Sequence, residues 1–117
     1  ARAHDRRFEI VVANDERATN LIFRTLHNTA RVAKNAISDE VVAIEKRGNA
    51  TFADVKDLVA GVRGAIVLDK GEMDEGIWSA GQSQALIHDI PTCKDLVARI
   101  VREAEGIIRN RLDKVLA

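Results

Sequence analysis

Gly76-Ile77-Trp78-Ser79-Ala80-Gly81-Gln82-Ser83, followed by Leu86-Ile87-His88-Asp89-Ile90-Pro91, decides how this chain is read. The stretch holds two glycines, the only tryptophan and a short polar set, and it leads into a long amphipathic segment. Asp74 is placed to cap a helix over about 75–87. A glycine inside a helix costs about 1 kcal/mol relative to alanine. Gly76 and Gly81 therefore signal close backbone packing. Pro91 closes the segment, because the residue before a proline is pushed out of the helical region. Thr92-Cys93-Lys94-Asp95 then opens the last helix. Its apolar stripe runs from Cys93 and Leu96 through Ile100, Ala104 and Ile108 to Val115 at helical spacing. Asp95, Glu103 and Glu105 share the polar face with arginines, which favours packing on protein over a membrane-surface role.

Upstream, Thr51-Phe52-Ala53-Asp54 resembles a capping box with Asp in place of the usual Glu. The helix it opens presents Phe52, Val55, Leu58, Val59 and Val62, with Gly61 and Gly64 at its exit. Ala65-Ile66-Val67-Leu68 reads as a short buried strand and Asp69-Lys70-Gly71-Glu72 as a turn. Ser38 is placed to cap a helix with Asp39 and Glu40 in its first turn and Lys46-Arg47-Gly48 at its end. Thr19 to Leu26 reads as a strand, with Ile22 and Phe23 at its centre. Residues 28–35 alternate poorly and support no assignment, and residues 8–13 suit strand and helix alike. These elements predict an α+β fold, predominantly helical with short strands.

The chain has 117 residues, enough for one modest core, with 18 basic and 18 acidic side chains. That balance gives no electrostatic reason to expect nucleic acid or an anionic membrane. No run of 18 apolar residues exists, so no membrane span is expected. The single cysteine, Cys93, has no internal disulfide partner and is expected to be a buried structural residue. A reducing compartment suits it, and the expected location is cytoplasmic. The sequence begins without Met, which suggests a processed or excised chain.

The three histidines, His4, His27 and His88, stand at no metal-ligand spacing, so no metal site is expected. Ser79 and Ser83 lack a nucleophile-elbow context. No P-loop or G-x-G-x-x-G pattern occurs. No catalytic set can be assembled, and no catalytic residue is assigned. Trp78 reads first as core. Its ring could instead wall a pocket for an aromatic or flavin group, with Ser79 and Gln82 supplying hydrogen bonds. These three residues are the candidate pocket lining.

Three segments carry a resemblance to a known family. One runs from Asp15 through Arg24 and on through Asn28-Thr29-Ala30-Arg31-Val32-Ala33-Lys34-Asn35. The second is Phe52 to Gly64, around Leu58-Val59-Ala60-Gly61. The third is Asp74 to Pro91, with Gly76-Ile77-Trp78-Ser79-Ala80-Gly81-Gln82. Together they resemble the C-terminal third of the nitronate monooxygenase (2-nitropropane dioxygenase) family.

That resemblance implies a parent with an FMN-binding TIM barrel and a smaller, mostly helical domain. The barrel would carry the phosphate-binding loops and the catalytic histidine, neither of which occurs here. Residues 1–14 would end barrel-associated structure, residues 15–90 would form the small domain covering the flavin site, and residues 91–117 would be the amphipathic helix packing back on the parent. The implied reaction is oxidation of alkyl nitronates by oxygen to carbonyl compounds and nitrite. The alternatives are a piece of an FMN-dependent NADH:quinone or enoyl reductase, or a domain that is inert when isolated. The implied partners are the alkyl nitronate, oxygen and the barrel, in the same chain or a separate one. A homo-oligomer is compatible with the pattern.

Overall fold

The computed structural model describes residues 3–112, 114 and 115. In chain order these form helix α1 (Ala3–Ala13), strands β1 (Thr19–Ile22) and β2 (Ala30–Ala33), and helices α2 (Ala36–Glu45), α3 (Phe52–Val55) and α4 (Gly61–Lys70). A 3-10 turn (Gln82–Leu86) precedes α5 (Cys93–Ile107), which continues as a π turn over Ile108–Leu112. The fold is α+β, mostly helical with short strands, as the sequence pattern predicts.

β1 and β2 form an antiparallel hairpin, with Thr19 opposite Ala33 and Ile22 opposite Ala30. The unassigned stretch after Asn28 thus contains a strand. The strand expected to reach Leu26 stops at Ile22, because the chain turns left-handed at Phe23 (φ 60°) and again at His27 (φ 55°). Such angles are unfavourable for residues with a Cβ. Glu45 at the end of α2 fixes the first of them. Its buried carboxylate accepts from Phe23 N at 2.9 Å, Thr25 N at 3.2 Å and Thr25 Oγ1 at 3.0 Å. A carboxylate taking three donors holds the turn more firmly than a neutral acceptor would.

Beneath the hairpin, Ile22, Val32, Val41 and Val55 form the buried core, with Leu26, Val42, Ile44, Leu58, Val59 and Ile77 packed around it. α2 starts earlier than expected. Asn35 is its cap, and Ser38 is the partner three residues on: Asn35 Oδ1 accepts from Ser38 N and Ser38 Oγ accepts from Asn35 N, both at 2.9 Å. Asn and Ser cap equally well, and this reciprocal pairing satisfies two orphan donors where Ser38 alone would satisfy one. The box at Thr51 forms as its spacing predicts, with Asp54 Oδ2 accepting from both Thr51 N and Thr51 Oγ1 at 2.7 Å.

Residues 65–68 are not a strand but the middle of α4. A four-residue apolar run is shared by both element types. Here the helix is favoured by Lys70 in its last turn and by Gly71, whose φ of 73° ends it in the left-handed region.

α5 stands apart. The sequence predicted its Thr92 cap (Thr92 Oγ1 accepts from Asp95 N at 3.2 Å) and its apolar stripe, but the α-helix stops at Ile107, short of the stripe's expected end at Val115. None of its residues is buried, and Val97, Ile100 and Val101 are 61%, 56% and 52% exposed. Cys93 is exposed as well, against expectation, because nothing in the described chain covers that stripe. The radius of gyration is 18.3 Å, against about 13 Å for a compact chain of this length.

Arg99 tethers α5 to the preceding loop through a two-pronged ion pair with Asp89, at 2.7 and 3.0 Å. The hydrogen bonds from Arg99 hold the Asp89 carboxyl below its ordinary pKa. A depressed carboxylate contributes stability that is fully present above its unfolded value, about 3.9, and that is lost as pH falls through the folded value. The α5 tether is therefore expected to hold at neutral pH and to release on acidification. An NMR titration of the Asp89 carboxyl carbon should show a midpoint below that of the Arg99→Gln variant. Equal midpoints would count against the tether.

Candidate functional site

A groove opens between α1, α4 and the segment after Gly76. It has a volume of about 470 Å³ and is lined by Arg7, Phe8 and Val11 from α1, by Gly64, Val67 and Leu68 from α4, and by Ile77, Trp78 and Ser79. Its floor is apolar. Val67 is 1% exposed and sets the packing between α4 and the 77–79 segment.

That segment is not the helix expected over 75–87. It is extended and lies beside β2, where Ser79 bridges Val32 and Ala33 N donates to Trp78 O at 3.0 Å. Only Gln82–Leu86 is helical, as a 3-10 turn. The glycine at 76 explains the difference. A Cβ there would lie 2.7 Å from Arg63 O and 3.1 Å from Val67 Cγ2, so the backbone passes α4 at a distance open only to glycine. Strand pairing and this close approach override the helical spacing of the side chains. Close packing at Gly76 is what the sequence predicted, in a different secondary structure.

Trp78 is half-buried along the groove, and its Nε1 donates to Met73 O at 3.1 Å. The indole N–H is therefore satisfied within the chain, which leaves the ring as the surface it offers. Ser79 is exposed at the groove's rim. Gln82 is exposed at the start of the 3-10 turn and does not line the groove. The structure thus brings Trp78 and Ser79 together and leaves Gln82 outside.

Two amides invisible as functional residues in the sequence hold this region. Asn35 is buried, and its Nδ2 donates to Met73 O at 2.9 Å and to Gly76 O at 2.8 Å. Gln84, 3% exposed, donates from Nε2 to Asp15 O at 2.9 Å and to Ala18 O at 3.4 Å. It ties the 3-10 turn to the loop between α1 and β1. In that loop the Arg17 side chain donates to Asp15 and lowers the Asp15 pKa. His27 and His88 are exposed. Among the described residues no three His, Cys, Asp or Glu side chains converge as a metal site would require.

No family model matches this sequence. The fold is similar to part of FabK from Thermotoga maritima. The structures superpose with a TM-score of 0.71 at 22% identity, over 86% of this chain and 31% of FabK. The chain therefore spans about a third of the length of that protein. The likeness establishes the fold, whose α+β character, mostly helical with short strands, the sequence had predicted.

An apolar groove walled by an indole suits the face or edge of a flat, ring-containing group such as FMN. A phosphate is served less well. Gly64, which lines the groove, lies inside α4, and Gly61, which opens that helix, lines a neighbouring hollow and not the groove. The groove offers one apolar wall to a ligand. No helix of the described residues is long and apolar enough to cross a membrane.

Proposed function

We propose that this chain forms the small covering domain of an FMN-dependent oxidoreductase, with the groove at Trp78 facing the flavin-binding part. The observation that carries the reading is the fold match to FabK, an FMN-binding oxidoreductase fold, over most of this chain and about a third of that one. That match favours the reductase alternative over nitronate oxidation. The Gly76–Gln82 segment, through its resemblance to the nitronate monooxygenases, keeps oxidation of alkyl nitronates by oxygen as the second reading.

Bound FMN would supply the two-electron chemistry. Residues of this chain would shape the site from one side. Trp78, Phe8 and Ile77 would exclude water from the groove, and Ser79 at the rim would offer a hydroxyl to a polar group of the ligand. Gln82, the third candidate, would need a shift of the 3-10 turn to join them. None of these groups is a proton-transfer catalyst, so the 117-residue chain alone is expected to turn over neither nitronate nor enone.

The test is the flavin content of the protein isolated from its natural source by means of this chain. One FMN per copy, bleached by NADH under anaerobic conditions and reoxidised by an enone or quinone, is the expected result. Reoxidation coupled instead to nitronate consumption and nitrite release would select the second reading. A natural protein without flavin would overturn both.

A further inference from the structure

We propose that Asn35 is a positioning residue for the Trp78 groove: its carboxamide sets where the groove wall stands, beyond its role as the cap of α2. The proposal rests on the reading of that groove as a ligand site, but its geometry stands independently. Asn35 uses both ends of its amide. Oδ1 accepts from Ser38 N and belongs to α2, whereas Nδ2 donates to Met73 O and Gly76 O, 38 and 41 residues further along the chain. Those carbonyls bracket the bend that leads into Ile77, Trp78 and Ser79. Met73 O takes the indole N–H of Trp78 as well, so one carbonyl is shared by the positioning amide and the groove residue.

The amide is itself held from behind. Ser38 Oγ accepts from Asn35 N and donates to Asn35 O at 3.0 Å, and it accepts from Asn20 Nδ2 at 2.9 Å. Ser38 is fully buried and Asn35 nearly so. A continuous polar chain thus runs from Asn20 on β1 through Ser38 and Asn35 to Met73 and Trp78. Every side chain in it has a partner, and in a water-excluded setting such a network fixes one arrangement and disfavours others. Among the described residues, Ile77 also packs on the core that includes Val32, Arg63 Nη1 donates to Glu75 O at 3.3 Å from α4, and β2 itself meets the segment by backbone pairing around Trp78 and Ser79. That pairing fixes register. It does not fix the bend at Met73–Gly76.

Two substitutions separate the roles. Asn35→Ser keeps a capping oxygen but is too short to reach either carbonyl, and Asn35→Ala removes both functions. The chain has one Trp and no Tyr, so near-ultraviolet circular dichroism and fluorescence report on Trp78. The expected result in the 117-residue chain is that Asn35→Ser retains far-ultraviolet helicity yet loses the indole's near-ultraviolet band, as completely as Asn35→Ala does. Retention of the band in Asn35→Ser would show that Asn35 acts only as a cap and would overturn the proposal.

Should either variant fail to fold, native-state hydrogen exchange of the unaltered chain decides. The Ala33 amide, donor to Trp78 O, and the Ser38 amide, donor to Asn35 Oδ1, are expected to open together as one unit. Opening of Ala33 while Ser38 stays protected would show that the segment leaves without disturbing Asn35, again overturning the proposal. None of these readouts needs flavin, so an absence of FMN from the natural protein would remove the proposed function and leave this test standing.

Discussion

Gly76→Ala is expected to pry α4 away from the segment that carries Trp78. The new Cβ would sit 2.7 Å from Arg63 O and 2.8 Å from Arg63 C, both backbone atoms that cannot rotate aside, with Val67 Cγ2 3.1 Å away on the other flank. Relief requires the whole helix or the whole segment to move. Overpacking of this kind typically costs about 1–3 kcal/mol, and the rigid backbone on one side puts this site at the upper end. Against a total stability on the order of 5–15 kcal/mol for a domain, that is a large share. Urea unfolding followed at the indole should show a lowered midpoint, and the groove, which Val67 and Ile77 both line, should lose its shape with it. Gly64→Ala is the internal control. A Cβ there meets nothing within 4 Å, and alanine is favoured over glycine inside a helix by about 1 kcal/mol, so a midpoint that is unchanged or raised, and not lowered, is expected. Equal midpoints for Gly76→Ala and the unaltered chain would refute the close-approach argument.

Ile100→Glu combined with Ile107→Glu is expected to leave the 117-residue chain nearly unchanged and to abolish its assembly with the flavin-binding part. Both isoleucines are half exposed, at 56% and 50%, and seven residues apart they share one face of α5. Surface changes away from a packed feature usually stay within about 0.5 kcal/mol, so the isolated chain should unfold at its usual urea concentration. Burying two unpaired carboxylates against an apolar partner is another matter. A loss of about 3 kcal/mol or more, on the order of a hundredfold in affinity, is expected. The measurement is the fraction of this chain that co-purifies with flavin from its natural source. A midpoint that falls in the isolated double variant would show instead that α5 is packed within the chain. Undiminished co-purification would show that the stripe is not the docking face.

How much of this was legible in the sequence varies with the range of the forces involved. The start of α5 and its apolar stripe were legible, since a stripe sustained over many turns and a Thr92–Asp95 cap are local signals, whereas its end at Ile107 was not, because the stripe continues to Val115. The Thr51–Asp54 box was legible as a local signal too. Residues 65–68 were misassigned because four apolar residues carry no period, and the decisive features, the left-handed Gly71 and the burial of Val67, lie at the helix's far end and across its packing face. Residues 75–87 were misassigned because helical side-chain spacing lost to pairing with β2 and to contact between Gly76 and Arg63. Of the candidate site, Trp78 and Ser79 were legible as the sole indole and its neighbour. Asn35 and Gln84 were not, since their partners stand 38 to 69 residues away and nothing in their own neighbourhoods marks them. Ser38 even drew attention away from Asn35, because either residue is a good cap.

The reach of Gln84 back to Asp15 makes the groove the part of the fold that depends on the longest stretch of chain. The hairpin, α2 and α3 lie within residues 19–55 and share one core, so their contacts close over short stretches of chain. The bond from Gln84 spans 69 residues and closes a loop that includes all of them. Loop closure costs more entropy the longer the loop, though the increase is only logarithmic. During synthesis the hairpin and α2 can therefore consolidate before Trp78 has been added. The groove is expected to close when Met73 and Gly76 reach Asn35, and to open together with that cap.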